Sequence, residues 1–318
     1  MIDIGLIGCG RVVHENYAPT LVGRTEYRVR YVFDRDERQA LSAAAIFGAE
    51  SVSLERLLAT ADAVVVATPP STHVELVERC LEQRVKIILC EKPFAPSFAA
   101  AADLVRRAEE RGVGLYVGHL RRSFPHLRLA RSLVSLGSIG APRAFVASEG
   151  GRFRWESVSD YTGSSETGGV LWDTGSHTLD TALFVAGLDE PQVEGVKVVC
   201  VDRDQPEPSH HFSGDFVLDL GDSEVEGRLH LSRREALPNV VRIVGSRGEV
   251  SLSVRPDDRV RLTTDRGTVV LSAGIACGGI LQHLDVQFRR VLLQQDAGDF
   301  DAKRFVGQTR VLEALSNA

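Results

Sequence analysis

The first ~120 residues switch repeatedly between short unbroken apolar runs and amphipathic stretches, and this alternation constrains the fold most. The runs are "IDIGLIG", "YRVRYVFD", "DAVVVATPP", "VKIILCEKP" and "VGLYVGH". Between them lie the helical patterns "ERQALSAAAIFG", "LERLLATA", "THVELVERCLEQR" and "SFAAAADLVRRAEERG". A strand that is apolar on both faces must be covered on both faces. Parallel strands also need long crossovers, usually helices. The pattern predicts βαβ units wound into a doubly covered parallel sheet.

After "PHLRLARSLVSLGSIG", a helix ending on glycine, the pattern changes. "RAFVASE", "EGVKVVCV", "GDFVLDL", "EVEGRLHL", "NVVRIVG", "GEVSLSV", "RVRLTT" and "TVVLS" read as strands at short spacing, and "VGSRGEV" as a hairpin turn. Strands this close imply an antiparallel sheet. Their half-polar alternation leaves one face on helices and one open. "QHLDVQFRRVLLQQ" and "AKRFVGQTRVLEALSNA" return to helix at the end. A chain of 318 residues is comfortable for two domains. The expected division is 1–122 and 123–318, an α/β protein with a doubly wound parallel sheet followed by a mainly antiparallel, open-faced one.

Composition excludes several classes of partner. The net charge is −6 and no dense Lys/Arg run occurs, so a nucleic-acid footprint is not supported. No apolar run approaches the ~20 residues of a membrane span, and the N-terminus has no signal-peptide pattern. Cys9, Cys80, Cys90, Cys200 and Cys277 are odd in number and widely spaced, which argues against a disulfide framework or a cysteine zinc site. The pair His210–His211 lacks a second ligand pair at zinc spacing, so no metal is expected. The expected compartment is the reducing cytoplasm.

"GLIGCGRVV" ends the first strand and opens a helix. In a dinucleotide site the first glycine, here Gly8, makes the tight turn. The second, Gly10, lets the backbone approach the pyrophosphate, which then meets the helix N-terminus. Arg11 and Val12 belong to the same loop. The third glycine of the pattern is replaced by Val13. Asp34 closes the second strand near the place expected for the acid that holds the adenosine ribose. A carboxylate there repels a 2′-phosphate and favours NAD, while Arg35 next to it leaves NADP possible. The first domain reads as a Rossmann NAD(P)-binding domain.

Only four of the 37 basic residues are lysine, and one of them, Lys92, follows a buried strand and precedes a proline. Ligands of an open parallel sheet bind beyond the carboxyl ends of its strands. Thr68-Pro69-Pro70, Glu91-Lys92-Pro93 and Gly118-His119 are therefore expected on one rim with the Gly8 loop. An ammonium there can stabilise a developing alkoxide, a task for which arginine is poorly suited. A lysine neutralising Glu91 in a surface turn is the alternative. The second dense stretch is "GGVLWDTGSHTLD". Asp173, His177 and Asp180 lie at i, i+4 and i+7, one face if the turn is helical from Asp173. A histidine oriented by a carboxylate suits general-base work. A helix cap with a satisfied core histidine fits the same residues.

Taken together, "GLIGCGRV", "FDRD", "ATPPSTH", "CEKPFA", "GHLRRSFP", "LGSIGAPRA", "GGVLWDTGSHTLD" and "TRVLEALSNA" closely resemble the Gfo/Idh/MocA family of sugar and cyclitol dehydrogenases. The match runs in order along the chain and is thin from about 190 to 275. The resemblance implies that Thr68, Pro69, Pro70 and His73 flank the cofactor. It puts Glu91 near the nicotinamide end and makes Lys92 the active-site lysine, its bond to Pro93 often cis. Asp173 and His177 match the substrate-holding aspartate and catalytic histidine. Arg121 or Arg122 matches an arginine often near the substrate, with Arg122 preferred. Trp155 and Tyr161, in the glycine-rich loop before this stretch, are further candidates for sugar contacts. The family's open sheet often forms the subunit interface, which implies a homo-oligomer, a dimer or tetramer.

The function expected is hydride transfer between a nicotinamide cofactor and a secondary hydroxyl or ketone of a sugar, sugar derivative or cyclitol. Two other readings share the motifs. One is a glycosidase that oxidises its substrate transiently with NAD, and the other is a nucleotide-binding regulator without catalysis.

Overall fold

The computed structural model describes residues 1–152, 169–189, 193–204, 209–274 and 277–318. These form two compact units. The first holds Met1–Leu120 and Ile280–Lys303. The second holds the described residues of 121–279 and Arg304–Ala318.

The first unit is built on six strands: β1 (Ile2–Ile7), β2 (Tyr27–Phe33), β3 (Glu50–Ser51), β4 (Ala63–Val66), β5 (Ile87–Cys90) and β6 (Gly114–Val117). They pair in the order β3-β2-β1-β4-β5-β6, all parallel. The strand order reverses between β1 and β4. That switch point is where a doubly wound sheet opens its ligand crevice. All four residues of β4 are buried, as its unbroken apolar sequence requires. The helices begin and end where their caps dictate. Asp36 caps α2 (Glu37–Phe47), Ser53 caps α3 (Leu54–Thr60) and Ser97 caps α5 (Phe98–Arg111), each accepting a bond from an N–H of the first turn. Gly48 and Gly112 close α2 and α5 in the left-handed conformation. Strand β3, two exposed residues, has no apolar run to announce it.

Helix α8 (Ile280–Leu292) corrects the expected division of the chain. Sequence places it with the second domain, yet it packs in the first unit. Its apolar face, Leu284, Phe288, Val291 and Leu292, joins the core formed by Tyr17, Leu21, Tyr27 and Val29. Each such buried side chain contributes about 1.5–3 kcal/mol. The Arg24–Asp285 and Arg289–Glu26 ion pairs fix its register. Sequence order carries no trace of this return.

The second unit carries β7 (Pro142–Gly150), β8 (Gly195–Arg203), β9 (His211–Asp219), β10 (Glu224–Ser232), β11 (Val240–Gly245), β12 (Gly248–Ser253), β13 (Arg259–Thr264) and β14 (Gly267–Ser272). Their order is β14-β13-β12-β11-β7-β10-β9-β8, and only β7 and β10 run parallel. Helices α6 (Pro125–Ser135), α7 (Ser176–Ala186) and α9 (Val306–Asn317) pack against the sheet. Along β9, Phe212, Phe216 and Leu218 are buried, and Leu229 and Leu231 of β10 continue that face. Opposite lie polar pairs such as Arg228–Asp215, with Val270 exposed on the same face.

Candidate active site

At the end of β1 the chain turns at Gly8, whose φ is 89°. A Cβ there would lie 2.7 Å from the Ala67 carbonyl oxygen. Both the left-handed backbone and the close pass over the end of β4 require glycine. Gly10 differs. Its φ is not in the left-handed region, and a Cβ on it would meet nothing within 4 Å. The fold itself does not need this glycine, whereas a dinucleotide laid over the loop does. Gly10→Val is therefore expected to leave the melting temperature nearly unchanged and to weaken NADH binding by at least tenfold. Calorimetry beside a fluorescence titration checks both halves.

The helix opened by the loop is wound as a π segment over Val13–Tyr17 before α1 (Ala18–Leu21). Val13, in place of the third glycine, is fully buried at this point. Asp34 spans loop and strand. Its Oδ2 accepts from the Cys9 N–H at 2.7 Å and its Oδ1 from the Asp36 N–H at 2.9 Å. The helix-cap role falls to Asp36, not Asp34. Each carboxylate oxygen retains a second lone pair, the acceptor a ribose hydroxyl needs. Arg35 stands exposed beside it. Arg11, the next residue after Gly10, forms an ion pair with Glu15 at 2.5 Å. These residues fit a dinucleotide.

Backbone bonds draw the strand ends onto one rim. Ala67 N–H donates to Ile7, Glu91 N–H to Val66 and Gly118 N–H to Cys90. Thr68, Pro69 and Pro70 thus stand beside Gly8, and Glu91-Lys92 beside Gly118. The Lys92–Pro93 bond is cis. Glu91 is half-buried. Its Oε1 accepts a short bond from the Tyr17 hydroxyl and its Oε2 accepts from the Lys92 N–H at 3.2 Å. His73 departs from expectation as a cofactor contact. It is fully buried, its ring nitrogens 2.9 Å from the carbonyl oxygens of Pro93 and Thr68. Burial holds its pKa below the ordinary histidine value. It ties the two rim loops together from behind.

In the second unit, Asp173 lies in another π segment, Leu171–Gly175, which runs into α7. A π turn closes i→i+5 bonds and holds more residues than the 3.6 of an α turn. This brings Asp173 and His177, four apart, closer to vertical alignment. Arg233, at the end of β10 and almost fully buried, donates to Asp173 Oδ2 at 2.8 Å. Sequence gave no signal for it beyond an arginine after a strand. Asp180 does not share the Asp173 role. It pairs at 2.6 Å with Arg122.

Arg122, preferred from sequence as the substrate arginine, is fully buried. It also bonds Asp189 at 2.9 Å and lies 4.0 Å over the Phe305 ring. A guanidinium with no exposed surface is a core residue rather than a ligand contact. Arg121 keeps some exposure and clamps Glu149 through two bonds of 2.7 and 2.9 Å. Thr178 donates to the same carboxylate at 2.7 Å, so Glu149 anchors the turn beside His177. Burial pushes the Glu149 pKa up, but Arg121 outweighs it and the net shift is downward. Trp155 and Tyr161 lie outside the described residues.

Comparison with known proteins identifies the family. Residues 2–119 match the sequence model described as "Oxidoreductase family, NAD-binding Rossmann fold", and residues 127–251 match "GFO/IDH/MocA C-terminal domain". An inositol 2-dehydrogenase from Rhizobium meliloti strain 1021 is 25% identical over 270 residues, 84% of this chain and 80% of that protein. A UDP-N-acetylglucosamine 3-dehydrogenase from Acidithiobacillus ferrooxidans is 31% identical over 171 residues, 54% of this chain and 50% of its own length. Among solved structures, KijD10, a 3-ketoreductase from Actinomadura kijaniata in complex with NADP and TDP-benzene, superposes with a TM-score of 0.77 at 21% identity. The match covers 99% of this chain and 97% of that one. An oxidoreductase from Agrobacterium radiobacter, solved with NAD+, L-tartaric acid and magnesium, gives 0.74 at 22% identity over 100% and 94%. The chain belongs to the Gfo/Idh/MocA family of oxidoreductases, whose N-terminal domain is an NAD-binding Rossmann fold.

Proposed function

We propose that the protein transfers a hydride between NAD and one secondary hydroxyl or ketone of a sugar, sugar derivative or cyclitol. The observation that carries this is the position of Lys92, just past the carboxyl end of β5 on the rim that also holds the Gly8 loop. Gly8, Gly10, Arg11, Val12 and Asp34 hold the dinucleotide, with Thr68, Pro69, Pro70 and Glu91 along its flank. His177 takes the proton of the reacting hydroxyl. Lys92 hydrogen-bonds the same oxygen and stabilises its charge as the carbinol carbon gives up its hydride to the nicotinamide. Asp173, held by Arg233, accepts from a substrate hydroxyl. In the reverse direction His177 or Lys92 returns the proton. Relatives named for inositol, xylose and UDP-N-acetylglucosamine support the polyol class.

NAD is preferred over NADP because the Asp34 carboxylate repels a 2′-phosphate. The open face of the eight-stranded sheet, on which Val270 is exposed in register with Arg261 and Arg228, is assigned to a homo-oligomer contact. The five free thiols suit a reducing cytoplasm. Among the described residues no helix is long and apolar enough to cross a membrane. A panel of cyclitols, aldoses and nucleotide sugars, assayed for nicotinamide reduction with NAD and NADP in parallel, tests the assignment. NADH formation from at least one polyol is expected. Release of an aglycone without net NADH supports the glycosidase reading instead, and a monomer in sedimentation overturns the oligomer.

A further inference from the structure

Beneath the rim, the buried Tyr17 and the half-buried Glu91 form an acid pair that hydride transfer does not use. Tyr17 ends the first π segment, is 1% exposed, and is fixed by an edge-on contact of its ring with Phe288 of α8 at 5.1 Å. Its hydroxyl points to Glu91 Oε1. On the far side, Gly118 of the β6 end closes on the carboxyl group, where a Cβ would lie 3.1 Å from Cδ. The Lys92 N–H holds the second oxygen. The carboxylate is thus pinned from three directions at the carboxyl end of β5.

We propose that this pair sets the redox preference of the cofactor site, Glu91 supplying a fixed negative charge that favours the cationic nicotinamide of NAD+ over neutral NADH, and Tyr17 keeping that charge in place. The inference rests on the dinucleotide reading of the rim. Reduction turns a positive ring into a neutral one, so one fixed charge nearby discriminates the two forms. At the effective dielectric near 20 that suits protein sites, a unit charge some 10 Å away is worth more than about tenfold in relative affinity.

Among the described residues, few titratable groups face Glu91. Tyr17 faces it from the π segment, Lys92 and the Cys90 thiol flank it on its own strand end, and α8 offers Phe288 to Tyr17 and the uncharged Gln287 to the Val117 carbonyl. Burial raises the Glu91 pKa, while the Tyr17 bond and the Lys92 charge hold it partly down. Burial and the Glu91 charge push the Tyr17 pKa well up, so the phenol stays a donor at neutral pH. A carboxyl whose folded pKa is raised loses stability as pH rises through the unfolded and then the folded value. Glu91→Gln is therefore expected to raise the melting temperature of the apo-protein at neutral pH, with the gain shrinking as pH falls.

The test is the pair of dissociation constants for NAD+ and NADH, measured by fluorescence and calorimetry from acid to neutral pH. In the wild type, Kd(NAD+)/Kd(NADH) should rise as pH falls and Glu91 protonates. In Glu91→Gln the ratio should be about tenfold higher than wild type at neutral pH and flat with pH. Tyr17→Phe removes the donor that lowers the Glu91 pKa, so the midpoint should move to higher pH. A wild-type ratio and profile in Glu91→Gln overturns the charge assignment, and an unmoved midpoint in Tyr17→Phe overturns the role of the tyrosine. Failure of the wild type to bind either form overturns the dinucleotide reading itself.

Discussion

Lys92→Met is expected to lower turnover by about 10²- to 10⁴-fold, the range for removing a group that handles a proton in the transition state. NADH binding should be nearly unchanged. The substitution keeps an unbranched stem of similar reach and removes the ammonium alone. Lys92→Arg should not rescue the loss. Guanidinium keeps the charge but presents a planar fork with a proton that does not leave, where the reacting oxygen needs one compact donor. Stopped-flow reduction of the nicotinamide, beside a binding titration, separates the two effects. A parallel fall in both would mark Lys92 as a support of the loop.

Arg122→Met should instead destabilise the second unit. The substitution removes a fully buried cation and takes the Arg122 charge away from Asp180, which is 1% exposed. Breaking a buried pair by removing one partner costs about 3–5 kcal/mol. For a unit of this size that is a fall in melting temperature on the order of 10 °C. Asp189 suffers less, because Arg131 and Arg304 also bond it, at 2.7 and 3.2 Å. Arg122→Met combined with Asp180→Leu should recover much of the loss, since two apolar groups can replace a buried ion pair at little cost. A variant that kept full stability and lost only substrate affinity would return Arg122 to the substrate.

What the sequence made legible follows from the physics of each feature. Unbroken apolar strands separated by capped helices have few solutions, so β1, β2, β4, β5 and β6 and the crossover helices could be read directly. The eight later strands were legible through their spacing and alternation, but not the parallel β7–β10 pair, because pairing partners leave no local mark. The return of α8 to the first unit was hidden for the same reason. Motif residues at strand ends were legible because a parallel sheet offers its ligands one edge only. Their depth was not. His73, Arg122 and Asp180 carry the residue types of a site and turn out to hold loops and core together. Tyr17 and Arg233 reach Glu91 and Asp173 from distant segments, and nothing local in "NYAP" or "SRRE" announces a partner 74 or 60 residues away.

The proposed chemistry has Lys92 and His177 serve one oxygen. Groups that act as a unit are not additive: removing the second costs little once the first is gone. The most direct measurement is the rate of nicotinamide reduction by wild type, Lys92→Met, His177→Ala and the double variant on the best polyol of the panel. The double variant is expected to be about as slow as the slower single one, with NADH binding intact in all four. Losses that multiply, or a single variant that turns over at the wild-type rate, would contradict a shared oxygen.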